Sequence, residues 1–272
     1  MIPDDIREKM CNPPVLAEND QYRIKFATTE QEMDAVFKLR YEVFTLEQGR
    51  NADDKSSSGI DKDSFDDYCL HLVVEEKSSS KIVGTYRVHL GPIAANSGLG
   101  FYSSQEFEIE GLDKIAPQTV EVGRSCVSPE YRNGSVVALL WSGISATMFR
   151  SGLRYLAGCV SLENVNPAAG WMLYDYFREQ GKLSDELHGI ALPHVRMKRP
   201  SESEMEAFAQ TLKGGARSLV PPLFKGYLRL GAKICSEPVF DRDFGTIDFL
   251  ILVDVGKLPE RYIKHFNVAA VG

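Results

Sequence analysis

Residues 119–163 leave the chain few choices. "TVEVGRSCV" (119–127) is apolar and rich in β-branched residues, so it reads as a strand. Ser128-Pro129 ends it, and Arg132-Asn133-Gly134 makes a turn. "SVVALLWSGISATMFRS" (135–151) is apolar almost all round and is closed by Gly152, which predicts a helix that must be buried. "YLAGCVSLE" (155–163) predicts a second buried strand. Strand, turn, buried helix and strand in this order call for an α/β body large enough to cover the helix.

The remaining segments fit that frame. Residues 1–20 are polar and contain proline, and are expected to form a flexible arm. "YRIKFAT" (22–28) alternates like a strand. Thr29 and Glu32 form a capping-box pair for a helix carrying Met33, Val36, Phe37, Arg40 and Phe44 on one face, with Gly49 as its stop. Residues 50–66 have almost no apolar content and predict a loop. "CLHLVVEE" (69–76) and "KIVGTYRVHL" (81–90) predict a hairpin, and 91–118 an irregular stretch with a short helix near 104–112. Asn166-Pro167 starts a helix over 168–180. A strand over 189–199 follows, then a helix capped by Ser201 and Glu204 and running to about 213. Pro221-Pro222 opens a helix over 223–233, strands cover 233–240 and 246–255, and a last helix covers 257–265. Hairpin and crossover connections together predict an α/β fold with a mixed sheet. Residues 21–200 would form its core and 201–272 a C-terminal α/β extension packed on it.

Several function classes drop out. The five cysteines are scattered and odd in number, which argues against a disulfide framework. No N-terminal apolar core resembles a signal peptide, and no apolar run approaches the roughly 18 residues of a membrane span. A cytoplasmic protein is expected, with at most peripheral contact at the inner face of the membrane. A net charge of −7 argues against nucleic acid as a partner. The charge is uneven, however: residues 194–233 hold eight Lys/Arg against three acids. Lys225, Arg229 and Lys233 in that segment would dock an acidic protein or an anionic headgroup, or else form a solvated face. Gly123-Arg124-Ser125 lacks the second glycine of a hydrolase elbow, since position 127 is Val. Asp61, Asp63, Asp66 and Asp67 do not complete an EF-hand, because its twelfth position is Leu72. The five histidines show no ligand spacing, so no metal is expected.

Strand 119–127 carries the chemistry. Glu121 and Arg124 would point to opposite faces of a regular strand, but a bulge at Gly123 would bring both to one cleft. Either they pair with each other structurally, or Glu121 works as a base. The turn at Arg132 and Gly134 leads into a helix N-terminus, an arrangement suited to phosphate: amides from Ser135 onward and the helix dipole favour an anion, and Arg132 adds a bidentate donor.

These features together resemble the GCN5-related N-acetyltransferase (GNAT) superfamily, in which such a turn holds the phosphate of an acyl thioester. The usual Arg/Gln-x-x-Gly-x-Gly/Ala pattern keeps only its first glycine here, with Tyr131, Gly134 and Val136 at its key positions; this argues against acetyl-CoA as donor. "LRYEVFTLEQG" (39–49), "DKDSFDDYCLHLVV" (61–74), "VGTYRV" (83–88), "FYSSQEFEI" (101–109), "EVGRSCVSPEYRNG" (121–134), "VPPLFKGYLRLGAKI" (220–234) and "FGTIDFLILVDV" (244–255) resemble one branch. That branch holds ornithine N-acyltransferases, N-acyl amino acid synthases and, more distantly, acyl-homoserine lactone synthases. The resemblance implies a GNAT-like sheet with a β-bulged strand, and transfer of a 3-hydroxy fatty acyl group from acyl carrier protein to the α-amine of ornithine. Glycine, lysine, tyrosine or a homoserine derivative are alternative acceptors, and a non-catalytic acyl-binding module is the alternative class. It implies no bound cofactor, acyl carrier protein being the partner that brings the co-substrate. Glu121 and Arg124 would be catalytic. Arg40, Asp63, Asp66 and Arg87 would bind the acceptor, although the two aspartates would equally serve to pair with Arg40 and Arg87. Cys126, Val127, Arg132, Gly134 and Ser135 would hold the phosphopantetheine, with amides near Cys126 and Val127 facing the oxyanion. Trp141, Phe101, Tyr102 and Phe107 would line the acyl tunnel or belong to ordinary core.

Overall fold

A computed structural model describes residues 1–47 and 59–258. In chain order the elements are α1 (Asp4–Cys11), β1 (Val15–Glu18), β2 (Tyr22–Phe26), α2 (Glu30–Tyr41), β3 (Leu70–Glu76), β4 (Ile82–Leu90), α3 (Gly91–Ser97), β5 (Phe107–Glu110) and α4 (Leu112–Ile115). They continue as β6 (Thr119–Val127), α5 (Ser135–Ser151), β7 (Tyr155–Leu162), α6 (Pro167–Glu179), β8 (His188–Ala191), α7 (Glu202–Ala209), α8 (Pro222–Arg229), β9 (Lys233–Ile234), β10 (Val239–Asp241) and β11 (Thr246–Asp254). A π-helical turn, Glu42–Glu47, prolongs α2. The stop expected at Gly49 and most of the helix expected over 257–265 lie outside the described residues.

The first unit holds residues 1–99 and 120–154. Its strands run β1-β2-β3-β4-β6, each antiparallel to its neighbour. Helix α5 closes one face of this sheet. It needs bare backbone opposite it: a Cβ on Gly143 would stand 2.4 Å from Ile24 Cδ1, and one on Gly84 2.7 Å from Val136 Cγ1. The other face takes α2, whose Val36, Phe37 and Leu39 pack with Val73 and Cys126. Thr29 and Glu32 complete the expected capping box at its start. The N-terminal arm expected over 1–20 is instead built into the unit. Met10 and Leu16 are buried, β1 pairs with β2, and Arg150 donates to the Met10 and Pro13 carbonyls at 2.7 and 3.0 Å. Polar composition hid these two anchors because only one face of each short element is apolar.

The second unit holds residues 100–119 and 155–258, so the chain does not divide at 200. Strands β7, β11 and β10 pair antiparallel, with β9 on the far part of β11. Helix α6 has its Asn166 cap on the Ala168 amide. It contributes Phe177 to a cluster with Phe224 and Phe249, at centroid distances of 5.1 and 6.2 Å. A small antiparallel pair, β5 with β8, covers the opposite apolar side through Phe107 and its neighbours. The helix expected near 104–112 is thus a strand in its middle, because Phe107 has a pocket to fill and period-two burial wins. The strand expected over 189–199 ends at Ala191, where Pro193 interrupts it. Both units combine helices with largely antiparallel sheet, so the fold is α/β. No helix among the described residues is long and apolar enough to cross a membrane.

Candidate active site

The register of the first unit's sheet places a charged layer on the face beneath α2. His71 lies opposite Arg87, Arg87 opposite Gly123, and His89 opposite Glu121. Direct antiparallel partners share a face, so His71, Arg87, His89 and Glu121 all point to the same side. The bulge in β6 adds one more group. Thr85 pairs with Cys126 but Arg87 with Gly123, so Arg124 and Ser125 together stand opposite Tyr86. The extra residue sits one place later than expected. Arg124, not Gly123, takes the left-handed conformation, with φ of 51°, a backbone state that costs a non-glycine residue of order 1 kcal/mol or more.

Helix α2 lowers Arg40 into this layer, and residues 61–66 lay three aspartates across it. Arg40 is fully buried; its Nε donates to Asp61 Oδ1 at 2.8 Å and its Nη1 to Asp66 Oδ1 at 2.7 Å. Arg87 Nη1 meets both oxygens of Asp63 at 2.8 and 2.7 Å and Asp66 Oδ1 at 3.2 Å. Arg124 Nη2 donates to Asp63 Oδ2 at 3.0 Å, with its Nε 3.7 Å from Asp61 Oδ1. The backbone of the loop is held by the same carboxylates: Asp66 Oδ2 accepts the Asp63 amide and Asp63 Oδ1 the Phe65 amide. Of the two expectations for Asp63 and Asp66, pairing with Arg87 and Arg40 is the one the structure displays.

Charge pairing here overrides burial. Burial alone would raise the Asp66 carboxyl, but Arg40 and Arg87 beside it bring it down to about 2. Asp63 is likewise held low by Arg87 against the effect of burial. The histidines go the other way. Burial pushes His71 down to about 4, against the pull of Asp66, and His89 down to about 4, with Arg87 adding to the effect. His71 Nε2 stands 3.7 Å from Asp66 Oδ1, and its ring meets Phe37 edge-on at 5.9 Å. Glu121 is buried on the same face. The sequence singled out Arg40, Asp63, Asp66, Arg87, Glu121 and Arg124, and all six come together. It assigned Asp61 and the two histidines no part in this layer; alternation on β3 and β4, counted from Arg87, was the signal for His71 and His89.

The turn after β6 also has the expected form. Gly134 caps α5 with φ of 84°, and Asn133 Oδ1 accepts the Ser135 amide at 3.1 Å. Arg132 Nε donates to the Val127 carbonyl at 3.2 Å, and its fork grips Glu47 through two bonds of 2.7 Å. Cys126 is buried, which pushes its thiol up to about 12 and leaves it no thiolate character at neutral pH. Among the expected tunnel residues, Phe107 is ordinary core of the second unit.

The expected docking residues lie in the second unit. Lys225 and Arg229 are exposed on α8, and Lys233 donates to the Gly181 carbonyl at 2.8 Å. A more concentrated basic feature lies elsewhere in the same unit. His194, Arg196, Lys198 and Arg242 line a cavity of about 290 Å³ with an apolar floor of Val195, Met197 and Phe240, and no acid among the described residues lines it. The second unit also brings Glu106, Asp241 and Asp248 together with their carboxylates within 4.8 Å of one another. The spacing of the histidines gave no sign of this buried acidic group.

The acetyltransferase (GNAT) domain profile matches residues 39–142, which span the charged layer and the turn. An L-ornithine N(alpha)-acyltransferase of Brucella abortus is 33% identical over 94% of this chain and 92% of its own. The chain belongs to the L-ornithine Nα-acyltransferase family. A second family member, from Agrobacterium fabrum, is 35% identical over 89% of this chain and 84% of its own. A glycine N(alpha)-acyltransferase of Bacteroides thetaiotaomicron is 31% identical over 97% of this chain and 85% of its own. Among solved structures, the CoA-dependent acyl-homoserine lactone synthase MesI aligns over 92% of this chain and 96% of its own, at 14% identity and a TM-score of 0.49. Membership makes this chain an N-acyltransferase, and the layer under α2 is its candidate active site.

Proposed function

We propose that this chain transfers a fatty acyl group from the phosphopantetheine thioester of acyl carrier protein to the α-amine of L-ornithine. The observation that carries the acceptor is the layer of three arginines and three aspartates around Arg87. An α-amino acid brings a carboxylate for a guanidinium, and ornithine brings a second ammonium for a carboxylate. Asp61 and Asp63 keep part of their surface in solvent, unlike Asp66, so they are the partners free to exchange. The incoming carboxylate takes Arg124 or Arg87 from Asp63, and the released aspartate accepts the side-chain ammonium. The names of the relatives support the same acceptor.

Glu121 takes a proton from the α-ammonium. The freed lone pair attacks the thioester carbonyl and forms the C–N bond. The oxyanion faces backbone amides near Cys126 and Val127. Its collapse breaks the C–S bond; of the two protons then on nitrogen, one passes to the departing thiolate and the other stays as the amide N–H. The phosphate of the donor lies at Arg132, Gly134 and Ser135. The basic cavity of the second unit suits an acidic carrier protein, and Lys225 and Arg229 on α8 are a second, separate candidate surface. No metal or resident cofactor takes part.

The deciding assay offers the purified chain 3-hydroxyacyl carrier protein with L-ornithine or glycine and weighs the N-acyl products by mass spectrometry. Ornithine should exceed glycine in kcat/KM by at least about tenfold, a low threshold, since a buried site built for a polar group rejects a substrate lacking it by up to about 10⁴–10⁵. Equal rates, or a preference for glycine, would overturn the acceptor assignment.

A further inference from the structure

The donor turn described above already has its positive groups occupied, and by this chain itself. Arg132 grips Glu47 through two parallel bonds of 2.7 Å, the fork geometry a phosphate would otherwise receive. The first amide of α5, on Ser135, is taken by Asn133 Oδ1. We infer that Glu47 stands in for the donor's phosphate on Arg132 and must be displaced when the acyl donor binds, so that it sets donor affinity. The inference rests on the reading that the donor's phosphate binds at this turn.

Three observations make the exchange workable. Arg132 Nε donates to the Val127 carbonyl independently of Glu47, so the fork stays aimed at the turn after Glu47 leaves. The pair is well exposed, 46% for Arg132 and 37% for Glu47, and exposed ion pairs are weak and screened by salt. The phosphodiester of the carrier's arm has one charge and two free oxygens, as a carboxylate does, so it fits the same fork and displaces Glu47 with the help of the other contacts the bound donor makes. Finally, Glu47 ends the π-helical turn that prolongs α2, and such turns are irregular insertions found often at functional sites. The near end of that turn is anchored, because Arg40 on α2 is tied to Asp61 and Asp66. Release of Glu47 frees the far end while leaving the acceptor layer in place. In the empty enzyme the pair keeps an exposed arginine from capturing unrelated anions.

The test measures binding of free 4′-phosphopantetheine by calorimetry, and donor KM by turnover, for wild type, Glu47→Gln, Arg132→Ala and the double variant. Glu47→Gln should tighten phosphopantetheine binding and lower donor KM by about two- to fivefold at low salt, as expected for removing a competing exposed pair. The ornithine KM should not follow. The gain should vanish in the Arg132→Ala background and shrink as salt rises. If Arg132→Ala weakens binding but Glu47→Gln leaves it unchanged or weaker, Glu47 is no competitor and the inference fails alone. If Arg132→Ala binds phosphopantetheine as wild type does, the phosphate does not lie at this turn, and the reading beneath the inference fails with it.

Discussion

Asp66 and His71 lie 3.7 Å apart in the same buried layer and respond to acid in different ranges. His71 titrates near 4 in the folded chain, below its ordinary value of 6.5. The unfolded chain therefore takes up the proton first, and stability drains as pH falls from about 6.5 towards 4. Asp66 sits near 2, below its ordinary 3.8. Its contribution, about 2 kcal/mol, is complete above pH 4 and is lost as pH falls from there to 2. Denaturant unfolding between pH 7 and 4 should show the first loss. His71→Phe, which keeps an apolar ring against Phe37, should flatten it, leaving the share due to His89 and, close to pH 4, the onset of loss from depressed carboxylates such as Glu32. An unchanged slope would mean that His71 is accessible to protons in the folded state. Glu121→Gln should keep phosphopantetheine binding and lower kcat by about 10²–10⁴, the usual worth of a general base; wild-type turnover would reduce Glu121 to a structural partner of this layer. The charged types in this layer were legible in the sequence because each is a polar intruder in an apolar run or beside an acidic loop. Their pairing was not, since it depends on the β3-β4-β6 register and on a bulge whose place one sequence does not fix.

Helix α5 was legible to the residue: its apolar run, its starting Gly134 and its closing Gly152 bound it as drawn. The two short elements before residue 20 were not, because a single buried Met10 or Leu16 gives no period to count. Gly143 shows what the helix requires of the sheet. Any Cβ there meets Ile24 Cδ1 at 2.4 Å, with Leu72 Cδ2 at 3.1 Å behind it, so the helix must withdraw or Ile24 must leave its rotamer. The clash costs about 1–3 kcal/mol and helix propensity returns about 1, so Gly143→Ala should destabilise by a net of up to about 2 kcal/mol. Thermal unfolding decides it; a stabilised variant would show that Ile24 swings away freely.

At the scale of the whole molecule, positive charge is gathered in patches. A chain of net −7 still presents Arg196, Lys198 and Arg242 around a cavity with no acid among the described residues that line it. Reversing Arg196 and Arg242 to Glu should raise KM for acyl carrier protein severalfold at low salt and leave that for ornithine unmoved. The effect should fade as the screening length shortens towards about 8 Å at physiological ionic strength. The same reversal of Lys225 and Arg229 on α8 compares the surface expected from sequence with the one that folding assembles. If only the α8 pair matters, the cavity is not the docking surface. The sequence exposed the basic segment as a composition, but Arg242 lies beyond that segment and joins it only through the pairing of Val239 with Arg196.

The bulge in β6 has a further meaning. Counted as a ladder, β4 and β6 match rung for rung on either side of Tyr86, with Thr85 facing Cys126 and Arg87 facing Gly123. Arg124 occupies no rung: it is a spare residue, and the ladder needs nothing from it. A chain with residue 124 deleted would keep every rung, leave Cys126 and Val127 on the faces they now hold, and shed a left-handed residue. It should fold at least as readily, yet Asp63 and Asp61 would lose one of their guanidiniums. In this strand Arg124 travels with the ladder without serving it.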